Sequence, residues 1–174
     1  MPASVLYMSM SLDGFIADSN DRLGGDNGLR LHEWLLEPDG EQFRTSGFAG
    51  QLMEEAFATG AVVVGRRTAE IVDHWGGSHH GVPVFVPSHR PPGPTVADYP
   101  LVTYVSDGIA SAMAQAKAAA GDRDVLVHGA YTAQRALEAG LLDELQISHV
   151  PVLFGQGRRL FDVLPSRIEL DIVR

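Results

Sequence analysis

The stretch "DVLVHGAYTAQRALEAG" (residues 124–140) decides the fold class of this chain. It begins with an apolar run typical of a buried strand and continues through a glycine and two hydroxyl side chains. It ends in apolar residues at helical spacing. A strand that leads through a tight turn into a helix is the unit from which helix-covered parallel sheets are built. We therefore predict an α/β fold.

The same unit recurs twice earlier in the chain. The apolar run at 61–64 precedes "GRRT" and a helical segment, and the run at 82–86 precedes "PSHRPPG". Strands alternating with helices predict a three-layer α/β/α architecture around a mixed, mainly parallel sheet. The other predicted elements are strands at 5–10, 101–105 and within 144–154, and helices within 42–58 and at 107–120.

The C-terminal segment "IELDIV" (168–173) alternates apolar and polar side chains. Such alternation is typical of a strand with one face in solvent. We expect this segment to form an antiparallel strand at the C-terminal edge of the sheet.

Composition limits the class of protein. The 174 residues, 45% of them hydrophobic and 20% charged, are typical of one globular domain spanning 1–174. Acidic residues outnumber basic ones 22 to 13, and nucleic acids and anionic membranes are bound by an excess of Lys and Arg, so neither is an expected partner. With no cysteine, disulfides and thiolate metal sites are excluded. No basic leader and no apolar span of membrane length is present, so we expect a cytoplasmic protein.

Three predicted strand ends carry glycine, hydroxyl and basic residues. Ligands of open α/β sheets bind at the carboxyl ends of strands, where glycine lets backbone approach, helix N-termini offer free N–H groups and Arg supplies a fork of donors. These are the parts of a phosphate site. The candidate residues are Gly65, Arg66, Arg67 and Thr68 after the first strand end; Ser88, His89 and Arg90 after the second; and Gly129, Ala130, Tyr131 and Thr132 after the third.

Each group alone has a simpler interpretation as a strand end, a solvated helix start or a polar loop. Arg66 and Arg67 nevertheless oppose the dipole of the helix that they begin, which favours an anionic partner. Neither G-x-x-x-x-G-K-[ST] nor G-x-G-x-x-G occurs, so a P-loop NTPase and a standard Rossmann domain are disfavoured. Basic rather than acidic residues follow the strands, which suits a ribose 2′-phosphate and so NADP rather than NAD.

Other chemistries have weaker signals. Adjacent His79 and His80 point apart unless the loop turns, and no acidic cluster accompanies them, so we predict no metal site. No G-x-S-x-G elbow supports acyl transfer. Asp13 is either a turn residue or a functional carboxylate, and Trp34 either packs in the core or walls a pocket.

Long strings of the chain resemble the dihydrofolate-reductase-like family, in the branch related to the C-terminal reductase domain of the bacterial riboflavin-biosynthesis deaminase/reductase. The strings that carry the resemblance are "YMSMSLDGFIAD" (7–18), "RLHEW" (30–34), "AVVVGRRTAE" (61–70), "VPVFVPSHRPP" (82–92) and "VLVHGAYTAQRALEAGLLDELQISHVPVLFGQGRRLF" (125–161). They span nearly the whole chain.

The resemblance implies a reductase that transfers a hydride from NADPH to a small polar or heterocyclic carbonyl or imine. It implies that Arg66 meets the 2′-phosphate, and that Ile16 and Ala17 lie near the nicotinamide. Thr68, Gly129, Ala130 and Thr132 would then cradle the pyrophosphate, with Ser88, His89 and Arg90 at the adenosine. Ser148, in the position of a substrate-side hydroxyl, joins Asp13 and Trp34 as the catalytic candidates.

The chain also departs from the family pattern. Glu33, Glu37 and Asp39 do not stand in the context of the carboxylate that orients the pterin in dihydrofolate reductases, which disfavours true dihydrofolate reduction. His128 stands where many members have the first of two glycines. The alternative to an enzyme is an NADP-binding protein without turnover. We expect a homodimer whose interface lies near the C-terminal region.

Overall fold

A parallel sheet of six strands forms the centre of the molecule. The computed structural model describes residues 2–20, 26–162 and 164–173. The strands of this sheet are β1 (Ser4–Ser11), β3 (Ala61–Val64), β4 (Val84–Pro87), β5 (Val102–Val105), β6 (Val125–His128) and β7 (Glu144–Val150), and a short strand, β2 (Phe15–Ala17), lies outside it. Their order is β5-β4-β3-β6-β1-β7, and every neighbouring pair runs parallel.

Alternation along the strands divides the core into two clusters. Along β3, Ala61 and Val63 pack in one cluster, whereas Val62 and Val64 pack in the other, because successive side chains point to opposite faces. All four side chains are inaccessible to solvent. Helices therefore cover both faces, which makes a three-layer α/β/α fold.

The helices are α1 (Asp26–His32), α2 (Gly47–Phe57), α3 (Arg66–Ile71), α4 (Ile109–Ala120) and α5 (Ala130–Glu138). Small residues on α4 and α5, such as Ala112, Ala116 and Ala133, are buried in the cluster that contains Val63. Ala69 of α3 is buried in the opposite cluster with Val62. The small alanines let the helices lie close to the sheet.

The predicted fold class is confirmed, but the antiparallel strand expected at 168–173 is wrong. Those residues adopt no regular structure, and Leu170, Ile172 and Val173 are exposed. The antiparallel pairing instead joins β2 to β8 (Arg158–Arg159) in a separate two-stranded sheet. An alternating pattern identifies which side chains share a face, but it does not supply a neighbouring strand to pair with.

The remaining differences lie at element ends. The strand within 144–154 ends at Val150, and the segment after β1 contains β2 and α1, together with a short 3-10 turn at Glu33–Leu35. Residues 21–25 of that segment lie outside the described residues. Among the described helices, none is long and apolar enough to cross a membrane.

Candidate active site

A cavity of about 1140 Å³ lies across the carboxyl ends of the strands. In a parallel sheet these ends meet at one edge, so residues distant in sequence share the cavity. All residues that we assigned to a nucleotide line it: Ile16, Ala17, Gly65, Arg66, Arg67, Thr68, Ser88, His89, Arg90, Gly129, Ala130, Tyr131 and Thr132. Of the three catalytic candidates, Ser148 lines the cavity, whereas Asp13 and Trp34 do not.

The turns after β3 and β6 approach each other closely. A Cβ added to Gly65 would lie 2.8 Å from Thr132 Oγ1, and a Cβ added to Gly129 would lie 3.3 Å from Thr68 Oγ1. Gly129 also has a φ of +93°, in the region that L side chains rarely adopt. A Cβ at Gly65 would displace the Thr132 hydroxyl and one at Gly129 would strain the backbone, so glycine is favoured at both positions, and the two threonine hydroxyls flank the gap between the turns.

The N-terminus of α5 is available to an anion. Its N-cap, Gly129, has no side chain to accept a hydrogen bond from the first-turn N–H groups. Uncapped N–H groups together with the helix dipole favour a phosphate. The close glycine turns allow a ligand to reach the backbone there.

Arg66 is held by its own helix. Its Nη1 donates to both carboxylate oxygens of Glu70, at 2.7 and 2.9 Å. Nε and Nη2 have no partner among the described residues, so the guanidinium keeps donors for a ligand. The pair is partly exposed to solvent.

The loop after β4 is held by its own hydrogen bonds. Ser88 Oγ donates to the Arg90 carbonyl at 2.9 Å and accepts from the Arg90 N–H at 3.1 Å. His89 and Arg90 are exposed at the cavity rim. This loop therefore presents its two basic side chains to solvent or to a ligand.

Asp13 holds two loops together instead of facing the cavity. Its carboxylate accepts from Ser11 Oγ at 2.6 Å and from the backbone N–H groups of Phe154 and Gly155 at 3.1 and 2.7 Å. The hydrogen bond from Ser11, with the two backbone donors, lowers the pKa of Asp13 to about 2. Its contacts tie the turn after β1 to the loop after β7.

Trp34 is hydrogen-bonded to Ser9, a residue of the cavity wall. Its indole Nε1 donates to Ser9 Oγ at 3.1 Å, and its ring stacks on Phe48 at a centroid distance of 6.0 Å. Ser9 lines the cavity and lies opposite Ser148 in the register of β1 and β7. Two serine hydroxyls therefore lie side by side on neighbouring strands.

Sequence reasoning missed a cluster of rings on the cavity wall, which we term the histidine cluster: His79, His80, His128 and Trp75. The His79 ring lies 4.6 Å from Trp75, 4.7 Å from His80 and 5.4 Å from His128, measured between centroids. His128 ends β6 directly before Gly129, so its position at a strand end was a signal in the sequence. His79 and His80 were weighed only as metal ligands.

An unusual backbone places Trp75 in this cluster. Asp73, His74 and Trp75 all have positive φ, at 45°, 53° and 53°. Each such residue costs of order 1 kcal/mol or more, so neighbouring contacts must hold the segment. Tyr99 Oη donates to Asp73 at 2.9 Å, and His74 Nε2 lies 2.9 Å from Tyr104 Oη.

Burial keeps His79 and His128 neutral. Desolvation, with His128 and His80 nearby, lowers the pKa of His79 to about 3. Desolvation, with His32 and His80 nearby, lowers the pKa of His128 to about 4. The described residues contain no group of three or more His, Asp or Glu side chains arranged to hold a metal ion. His79 and His128 are therefore uncharged imidazoles at neutral pH.

The charged residues of the cavity have one sign. Within the described part of the chain, the lining contains arginines and no Asp or Glu. Glu33, Glu37 and Asp39, the carboxylates compared with the pterin-orienting group of dihydrofolate reductases, lie outside the lining. The arginines are Arg66, Arg67, Arg90, Arg135 and Arg158.

The fold, a six-stranded parallel sheet beside a small antiparallel one, matches that of dihydrofolate-reductase-like proteins. The chain matches the family model of the RibD C-terminal domain over residues 2–174. It therefore belongs to the RibD C-terminal domain family, which supports an oxidoreductase and confirms the resemblance seen in the sequence.

Solved structures agree with this family. A putative riboflavin biosynthesis protein from Shewanella sp. PV-4 is 26% identical with a TM-score of 0.75, covering 99% of this chain and 90% of that one. Dihydrofolate reductase from Enterococcus faecalis, complexed with NADP(H), is 13% identical with a TM-score of 0.53, covering 92% and 78%. A diaminohydroxyphosphoribosylaminopyrimidine deaminase/5-amino-6-(5-phosphoribosylamino)uracil reductase from Thermotoga maritima is 15% identical with a TM-score of 0.59, covering 98% of this chain and 51% of that one. The last two show the fold alone. No curated protein matches the chain.

Asp13→Asn tests the role of this carboxylate. The amide places an N–H₂ group against backbone donors, so we expect a lower urea midpoint at pH 7 than in the parent. Because the folded-state pKa of Asp13 is lowered to about 2, its stabilisation is present above pH about 4 and disappears as the pH falls towards 2. The difference between variant and parent should shrink over that range, whereas exposed Asp122→Asn should change little. Parental stability with lost turnover would instead assign Asp13 a substrate role.

The histidine cluster predicts a second pH range in which acidification destabilises the fold, at higher pH than the range predicted for Asp13. His79 and His128 stay neutral in the fold but accept protons when unfolded, so acidification from about pH 6.5 to 4 favours unfolding. Each contributes up to about 1.4 kcal/mol per pH unit, less where water screens the ring. Urea unfolding of the parent, His79→Gln and His128→Gln at pH 7.5 and 5 measures this. A free energy of unfolding that is equal at both pH values in the parent would contradict it.

Proposed function

We propose that this protein is an NADPH-dependent reductase that transfers a hydride to a small polar or heterocyclic carbonyl or imine. The observation that carries the proposal is the meeting of two glycine turns, the uncapped N-terminus of α5 and several arginines in one cavity. Membership of the RibD C-terminal domain family supports the reaction class. NADPH supplies the hydride when bound.

The glycine turns are suited to a pyrophosphate. The first-turn N–H groups of α5 can donate to its oxygens, and the hydroxyls of Thr68 and Thr132 can donate from either side of the gap. Any side chain at Gly65 would meet Thr132 and narrow this space. The residues present therefore fit the phosphate-bearing part of a dinucleotide.

Arg66 is the residue that we assign to the 2′-phosphate. Its pairing with Glu70 aligns the guanidinium while leaving Nε and Nη2 for a second acceptor. Glu70 also places a negative charge near the proposed phosphate, which offsets part of the gain. The preference for NADPH therefore depends on both side chains.

On the substrate side the described lining offers hydroxyls and imidazoles rather than a carboxylate. Ser9 and Ser148 lie on neighbouring strands, and the histidine cluster lies at the end of β6. A dihydrofolate reductase would be expected to place a carboxylate here, so we do not assign that substrate. The same described lining also suits an NADP-binding protein without turnover, which needs no proton donor.

Arg66→Ala tests the cofactor assignment. The parent should bind NADPH more tightly than NADH, and the variant should lose most of that preference, since a charge-assisted contact contributes about 1.5–3 kcal/mol, or roughly 10–150-fold. NADH affinity should stay nearly unchanged. Cofactor fluorescence titrations measure both constants, with exposed Arg167→Ala as the control. Equal affinity of the parent for the two cofactors would reject NADP.

Turnover distinguishes the enzyme from a binding protein. The decrease in NADPH absorbance is followed with a panel of small carbonyl and imine compounds that includes dihydrofolate and ribityl-substituted pyrimidines. Oxidation of NADPH that depends on one of these compounds supports the reductase. Tight NADPH binding with no oxidation across the panel supports the binding protein.

We also propose that two copies associate through the β7 edge. β7 is the last strand of the sheet within the described residues, and Leu145 and Ile147 on it are only partly buried. Leu170, Ile172 and Val173, in the C-terminal segment, are also exposed apolar side chains. An uncovered apolar edge promotes association, and a two-fold dimer covers it from both copies. Sedimentation should show a dimer that Ile147→Lys weakens; a monomer at all concentrations would reject it.

A further inference from the structure

The histidine cluster is not explained by nucleotide binding. His79 and His128 line the cavity, and neither His128 nitrogen nor His79 Nε2 has a hydrogen-bond partner among the described residues. Partly buried polar atoms without partners favour a ligand that supplies them. The position of the protons on these rings decides which ligand that is.

The proton of His80 can be assigned from its neighbours. His80 Nε2 lies 3.1 Å from the carbonyl oxygen of Thr59 and 3.3 Å from Thr59 Oγ1. A carbonyl can only accept, and the single hydroxyl proton of Thr59 is donated to the Ala56 carbonyl at 2.7 Å. Both contacts therefore require that His80 Nε2 carries the proton and donates it.

The position of the proton on His80 determines the position of the proton on His79. In a neutral His80 the other nitrogen, Nδ1, is an acceptor, and the Nδ1 atoms of the two rings are hydrogen-bonded to each other. His79 Nδ1 must then be the donor, so its Nε2 carries no proton. The Thr59 carbonyl thus sets the tautomer of His79 through one intervening ring.

The surroundings keep His79 uncharged. Its ring is packed edge-on against Trp75 and lies near Phe57, and the titratable groups that act on it are His128 and His80. No carboxylate in the described lining could stabilise an imidazolium there. The low pKa of His79 follows from this burial.

We propose that His79 is a specificity-determining residue whose bare Nε2 accepts a hydrogen bond from an uncharged planar ligand group bearing an N–H or O–H. The inference rests on the proposed function, since it names the chemistry that the cavity selects beside the cofactor. Trp75 and His128 supply flat surfaces for the ring. A phosphate or carboxylate is disfavoured beside His79, because its oxygens are hydrogen-bond acceptors and so is the bare Nε2.

The tautomers are measured directly without any ligand. Long-range ¹H–¹⁵N spectra of protein labelled in its histidine rings distinguish protonated from bare nitrogens. We expect a bare Nε2 on His79 and a protonated Nε2 on His80 at pH 7.5. His80→Phe removes the acceptor for His79 Nδ1–H and should allow His79 to populate both tautomers, whereas exposed His149→Gln should leave the signals of His79 unchanged. A protonated Nε2 on His79 in the parent would overturn the proposal.

Matched probes test the ligand chemistry. Indole carries one N–H donor, 1-methylindole has the same ring without it, and inorganic phosphate is the anionic probe. We expect indole to shift the His79 Nε2 signal and to bind roughly 2–10-fold more tightly than 1-methylindole. His79→Phe should remove this difference, and His79→Gln should keep part of it. Equal binding of the two indoles, no indole binding at its solubility limit, or protonation of His79 by phosphate would each overturn the proposal.

Failure here can be separated from failure of the proposed function. NADPH binding is followed independently by cofactor fluorescence. Retained NADPH preference with equal indole affinities rejects the role of His79 alone. If the protein shows no preference for NADPH but His79 has the expected tautomer and indole binds more tightly than 1-methylindole, the reductase is rejected. The role of His79 as a hydrogen-bond acceptor then still stands.

Discussion

The close approach of two glycine turns is the constraint on which this site depends. Gly65 and Gly129 bring Thr68 and Thr132 across a gap in which a Cβ on Gly65 would lie 2.8 Å from Thr132 Oγ1. That approach is possible because β3 and β6 are adjacent and parallel, with Val64 opposite His128 in the register. The same pairing leaves the N-terminus of α5 at the cavity and places His128 on its wall.

The cavity has two chemically different parts joined at the end of β6. On the side of the glycine turns, arginines and helix N–H groups favour an anion. On the side of the histidine cluster, burial keeps His79 and His128 neutral, and aromatic rings supply flat apolar surface. His128 and Gly129 are consecutive, so a ligand spanning both parts passes from a positive to an uncharged environment within a short distance.

Residues outside the cavity hold its walls. Asp13 joins the turn after β1 to the loop after β7 through backbone N–H groups, and Trp34 holds Ser9 through its indole. In both cases the sequence identified a chemically capable side chain close to the site. Their contacts with the protein, from Asp13 to Ser11 and two backbone N–H groups and from Trp34 to Ser9, favour positioning roles.

The sequence by itself determined the α/β class, most strand positions and the strand ends that line the cavity. These features follow from local patterns, because short apolar runs predict buried strands. Gly65 and Gly129 mark the turns that follow two of those strands. Only the tertiary structure decided that residues 168–173 have no strand partner, that Arg66 pairs with Glu70, and that His79, His80 and His128 share one wall. Pairing, ion-pair geometry and burial depend on which segments become neighbours in space, and His79 is separated from His128 by β4, a 3-10 helix, β5 and α4 along the chain.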